Sequence, residues 1–175
     1  MTAPLPESSP VTAADLEVLQ DQLGRPPRGV VDVAARCVCG RPLVVRTAPR
    51  LDDGTPFPTT FYLTAPPVVK AVSTLEASGL MKEMSERLVT DGELAAAYRR
   101  AHEDYLARRA ELGEVPEIEG ISAGGMPTRV KCLHVLVGHA LAAGPGVNPL
   151  GDEALELLAP TWQRGVCSCV TEETR

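Results

Sequence analysis

The apolar run that passes through Lys131-Cys132-Leu133-His134 and on to His139 limits this chain more than any other segment. A stretch so poor in charge has to lie mostly inside the fold, yet it carries a thiol and two of the chain's three histidines. Whatever covers it must satisfy those polar groups or use them. Pro127 suits the first turn of a helix, and Gly144-Pro145-Gly146 suits its end near Ala143. On that reading Cys132 and His134 lie about 200° apart around the axis, while Cys132 and His139 share a face about 10 Å apart along it. One ion cannot easily collect either pair from a straight helix, so a site built here needs partners from elsewhere.

The 175 residues, 44% of them apolar, suffice for one domain with a real core. With 3% aromatic residues, that core rests on Leu, Val and Ala, and few platforms remain for stacking bases. A formal charge of −6 argues against nucleic-acid binding, which needs a basic surface. No apolar run reaches the roughly 20 residues of a membrane span. Met1-Thr2-Ala3-Pro4-Leu5-Pro6 lacks the charged and apolar regions of a secretory leader. The expectation is a cytoplasmic chain that meets neither membrane nor nucleic acid. Five cysteines, an odd number, fit a reducing compartment better than a disulfide framework.

The periodicities give an α+β fold: a small antiparallel sheet of about three strands packed against five or six helices. Residues 1–11, rich in Pro and Ser, read as disordered, residues 12–160 as a single domain, and residues 161–175 as a flexible tail. Thr12-Ala13-Ala14-Asp15 resembles a capping box and opens a helix that Gly24 and Pro26-Pro27 stop near Leu23. Gly29–Arg36 and Leu43–Thr47 read as strands joined through Cys39-Gly40-Arg41-Pro42, and Thr59–Thr64 as a third. Their connections are too short for crossover helices, which makes the sheet antiparallel. Helices follow over 66–77, 80–89, 91–112 (opened by a Thr90–Glu93 capping box), 127–143 and 148–158.

Cys37-Val38-Cys39-Gly40 is the partner the apolar run calls for. Side chains two apart on a strand share a face, so both thiols of the pair can turn toward one ion. Thiolate and imidazole together favour Zn²⁺ over an iron–sulfur cluster, giving Cys37, Cys39, Cys132, His134 and His139 as candidate ligands. Cys167-Ser168-Cys169 is a further pair, expected to be incidental in a tail. Buried thiols also serve as inert core fillers, and Cys132 is the candidate nucleophile should one thiol be reactive. Arg129 and Lys131 at the start of that helix, with Arg50, are candidate anion holders. Arg25, Arg28, Arg36, Arg41, Arg46 and Arg50 otherwise read as charged strand edges. On the longest helix Tyr98, His102, Tyr105 and Arg109 form a stripe whose rings are expected on the core.

Several strings together resemble a bacterial family of proteins of unknown function, numbered 501. They are Arg25–Val31, Arg36-Cys37, Thr47–Leu51, Asp53–Thr59, Gly125-Met126-Pro127, Arg129–His134 and Gly144–Leu155. The resemblance spans about residues 15–158 and implies no activity. It implies a high-GC Gram-positive source and a setting in cell division, since the gene often sits beside that of a septum-formation initiator. The family pattern commonly has Cys or His where this chain has Ala65; that interchange favours a metal ligand, and Cys39 is then the residue to fill the gap. Three functions stay open. One is an accessory protein with a thiolate/histidine metal site. Another is a Cys-dependent enzyme acting on a small anionic substrate. The third is a metal-free module that binds a protein partner.

Overall fold

Helix α5 (Leu133–Ala143) forms the centre of the molecule, and every residue in it except His134 is buried. The structure is a computed structural model that describes residues 8–169. Among the described residues it holds six α-helices, one 3₁₀ turn and a four-stranded sheet, confirming the α+β class. Strands β1 (Ser9–Pro10), β2 (Val30–Arg36), β3 (Pro42–Thr47) and β4 (Phe61–Leu63) run antiparallel in chain order. The β-strand period of two divides their side chains between two cores. Val33 and Val45, with Tyr62 beside them, pack on Leu19 of α1 (Ala13–Leu23). Ala34, Val44, Phe61 and Leu63 face the larger core, which α5 fills.

Against α5 pack α2 (Pro66–Glu76) and α6 (Pro149–Leu158); α4 (Gly92–Ala110) reaches it through Asp104 and Tyr105, and α3 (Leu80–Thr90) packs on α2 and α4. Two glycines let backbones meet. A Cβ on Gly138 would lie 2.9 Å from the Phe61 carbonyl oxygen, and one on Gly151 only 2.3 Å from that of Leu136. The α5 helix is therefore pressed against β4 on one side and α6 on the other. Its one buried imidazole is fully partnered: His139 Nε2 lies 2.8 Å from Asp104 Oδ2 and its Nδ1 3.2 Å from Asn148 Nδ2. Phe61 stacks on the ring, and Tyr105 meets it edge-on. The Tyr98 and Tyr105 rings of the α4 stripe are also wholly buried, as expected, and Arg109 donates to the Ile118 carbonyl in the 3₁₀ turn Pro116–Ile118.

Four expectations need correction. Residues 1–7 fall outside the described residues, but Ser9–Pro10 pairs with β2 as a fourth strand, where an edge proline has no N–H to leave unpaired. The 161–175 tail is not loose throughout: Trp162 is 5% exposed and its N–H donates to the Leu158 carbonyl, while residues 163–167 are exposed. Residues 170–175 lie outside the described residues. Asp91, not Thr90, caps α4, accepting from Leu94 N–H at 3.0 Å. Finally, α5 starts at Leu133 rather than Pro127. Gly124 and Gly125, both at positive φ, turn the chain back so that their carbonyls accept from Lys131 and Arg129. Ser85 and Tyr98 side chains take Val130 N–H and the Arg129 carbonyl, leaving little for a helix to satisfy.

Candidate metal centre

The β2–β3 hairpin turns at Cys37-Val38-Cys39-Gly40. Gly40 N–H donates to the Cys37 carbonyl at 2.8 Å, and Cys37 N–H to the Arg41 carbonyl at 2.9 Å. Gly40 has φ +88°, a conformation that costs other residues a Cβ clash. This tight turn puts both sulfurs on one side. Arg36 braces it from below, reaching the Gly40 carbonyl, Ser9 Oγ and both oxygens of Asp15. Asp15 is itself half of the Thr12 capping box on α1, so the hairpin is tied to the first helix.

Cys167 and Cys169 come to this turn from the other end of the described chain. Trp162 anchors the approach, and Arg164 Nη2 donates to the Ala140 carbonyl of α5 at 3.3 Å. The result is a cluster in which the sulfurs of Cys37, Cys39, Cys167 and Cys169 all lie within 4.8 Å of one another. All are free thiols; Cys39 and Cys167 are exposed, and Cys37 and Cys169 half-buried. Burial pushes the Cys169 thiol up, and the neighbouring Cys37 and Cys39 thiols push it further. Four such groups repel one another as thiolates unless a cation joins them.

Cys132 and His134 join a different cluster, with Glu76. Because α5 begins one residue after Cys132, that cysteine is an extended N-cap (φ −153°, ψ 111°). It thereby escapes the helical angle that would have turned it away from His134. Its sulfur lies 3.9 Å from His134 Nδ1, and Glu76 Oε1 lies 3.1 Å from the same nitrogen. Glu76, the last residue of α2, also accepts Leu133 N–H at 2.7 Å. The hydrogen bond with Cys132 holds His134 up at about 9; burial opposes this and the Glu76 charge assists it.

The single site expected from Cys37, Cys39, Cys132 and a histidine is thus divided in two. Cys39 does not complete a set with Cys132, since it faces the Cys167–Cys169 segment, and Ala65 is a buried N-cap of α2. His139 turns to Asp104 and Asn148 instead, in the core. The anion holders do not form one cradle. Arg50 pairs with Glu117 and the Gly54 carbonyl, Arg129 and Lys131 are exposed, and the α5 N-terminus already has its carboxylate in Glu76. Of the other early arginines, Arg28 pairs with Asp53, Arg36 with Asp15, and Arg46 with Asp32 and Glu111.

Sequence reasoning set aside Cys167 and Cys169 and did not see Glu76. The twin Cys-x-Cys spacing was a usable signal for the first two; nothing in the spacing marks Glu76. A family model described as "Protein of unknown function (DUF501)" matches residues 33–156. That span holds Cys37, Cys39, Glu76, Cys132 and His134, and stops short of Cys167 and Cys169. No curated protein and no solved structure matches the chain.

Proposed function

The chain belongs to the DUF501 family of proteins of unknown function, and from that premise we propose that it is an accessory protein stapled by one structural Zn²⁺ on Cys37, Cys39, Cys167 and Cys169. The observation that carries this reading is the mutual approach of the four sulfurs to within 4.8 Å. In a tetrahedral zinc site with Zn–S near 2.3 Å, sulfurs sit about 3.8 Å apart, so the cluster closes on an ion by shifts of about 1 Å or less. Four thiolates fill the coordination shell, which suits a structural ion rather than one that activates water. An iron–sulfur cluster, being larger than one ion, asks for sulfurs held further apart. The five free thiols support a reducing, cytoplasmic setting. The cell-division setting implied by the resemblance belongs to the same proposal, and so does a protein partner, with the stapled hairpin as the rigid surface offered.

The enzyme reading has less support. In a nucleophile relay the thiol and the carboxylate address opposite nitrogens of the imidazole. Here Cys132 and Glu76 both approach Nδ1, while Nε2 faces the Val69 carbonyl. Protein purified without a metal-affinity tag should carry zinc, and Cys37→Ser/Cys169→Ser should carry one equivalent less than wild type. Wild-type thiols in the cluster should resist labelling until a chelator is added. Equal zinc content in the two proteins, or free labelling of every thiol before chelation, overturns the proposal.

A further inference from the structure

We propose that Glu76, Cys132 and His134 form a second divalent-metal site, with three protein ligands and a fourth position open to water or a small anion. The three ligand atoms lie within 4.8 Å of one another, on three differently supported side chains. His134 is the one residue of α5 that is not buried. Its Nε2 lies 3.2 Å from the Val69 carbonyl and 3.2 Å from Ser73 Oγ. A carbonyl only accepts, so that nitrogen carries a proton, and Ser73, which donates to the same carbonyl at 2.9 Å, accepts as well. Metal-ligating histidines are commonly oriented in this way, one ring nitrogen donating to a backbone carbonyl while the other faces the ion.

Nδ1 is then the ligating nitrogen, aimed between the Cys132 sulfur and the Glu76 carboxylate. Glu76 is fixed in turn by the Leu133 amide at 2.7 Å, and Cys132 by its extended N-cap backbone. In the chain without metal, a proton on Nδ1 bridges His134 to its two partners. A divalent cation takes that place, and the displaced proton goes to solvent with the thiol proton, leaving thiolate, carboxylate and imidazole on the ion. The set of one sulfur, one nitrogen and one oxygen suits Zn²⁺ or Co²⁺. About a quarter of each of the His134 and Glu76 side chains is exposed (25% and 23%), so the fourth position faces solvent. This differs from the closed four-thiolate shell and does not depend on it.

The test is a Co²⁺ titration of reduced, metal-stripped full-length protein, followed by absorption. Two equivalents should bind, one giving the intense charge-transfer band of four thiolates and one a weaker band from a single thiolate. Cys132→Ala and His134→Gln should each bind one equivalent fewer and keep the four-thiolate band. Cys37→Ser/Cys169→Ser should lose that band and keep the weaker one, so failure of either centre is seen separately. Superimposable titrations of wild type and Cys132→Ala overturn the second site. ¹¹³Cd NMR of the wild type needs no variant: a resonance from a mixed sulfur, nitrogen and oxygen shell supports the site, and its absence at two equivalents of Cd²⁺ overturns it.

Discussion

Arg36 precedes Cys37 directly, and its four hydrogen bonds to Asp15, Ser9 and Gly40 make it the brace of the thiol hairpin. Asp15 is 10% exposed, and hydrogen bonding with Arg36 outweighs burial to hold its carboxyl well below the usual carboxylate range. A depressed folded value means stabilisation that is complete above the unfolded pKa, about 3.9, and is lost as pH falls below it. Asp15→Asn should therefore cost about 2 kcal/mol at neutral pH. Its stability should also decline less steeply than that of wild type below about pH 4, as read by urea unfolding across pH. At the buried end of α5, Asn148 does two jobs: Oδ1 caps α6 through Gly151 N–H and Nδ2 faces His139 Nδ1. For Asp104, burial works against ionisation, but the hydrogen bonds from His139 and Arg108 outweigh it and keep its pKa low. Asn148→Ala strands a buried ring nitrogen and a helix end together, for a loss of about 2–3 kcal/mol in the denaturation midpoint analysis.

Helices α5 and α6 cross where Gly151 removes the side chain from the contact, with the Leu136 carbonyl 2.3 Å and Ala140 Cβ 2.9 Å from a notional Cβ. Backbone cannot yield as a flexible side chain does. Gly151→Ala should destabilise by about 1–3 kcal/mol despite the better helix propensity of alanine. Gly92, in the first turn of α4, has open space around the same position. Gly92→Ala should be neutral or stabilise by up to about 1 kcal/mol, and paired thermal melts of the two variants check the contrast. The start of α5 carries a functional consequence. A helix beginning at Pro127 would have turned Cys132 away from His134, whereas the loop ending at an extended Cys132 lets both meet Glu76.

Across the whole molecule, the four-thiolate cluster joins a hairpin near the start of the sheet to a segment beyond the last helix. A cross-link over so long a stretch of chain restricts the unfolded ensemble strongly, by up to about 5 kcal/mol on a loop-closure argument. Chelation should therefore lower the wild-type melting temperature substantially, and leave that of Cys37→Ser/Cys169→Ser little changed apart from loss of ions elsewhere. A chain ended after Pro160 should be weaker still. It loses the Trp162 side chain from the core as well as two thiols, about 2–3 kcal/mol beyond the staple. No helix among the described residues is long and apolar enough to cross a membrane.

Local chemistry was written plainly in the sequence. The Thr12–Asp15 box, the Val-rich segments Val30–Arg36 and Pro42–Thr47, and the apolar run of α5 each act within one element, so the α+β class and most boundaries followed. The two-residue β1 strand did not, because it exists only through pairing with β2. Thiols and imidazoles were legible as ligands by type, but not by partner. Partnership depends on which loops return to the same place, and that is set by packing: Trp162 carries Cys167 and Cys169 back to the hairpin, and the end of α2 delivers Glu76 to the start of α5. Residue chemistry is a property of the chain, whereas convergence over a hundred residues belongs to the tertiary fold alone.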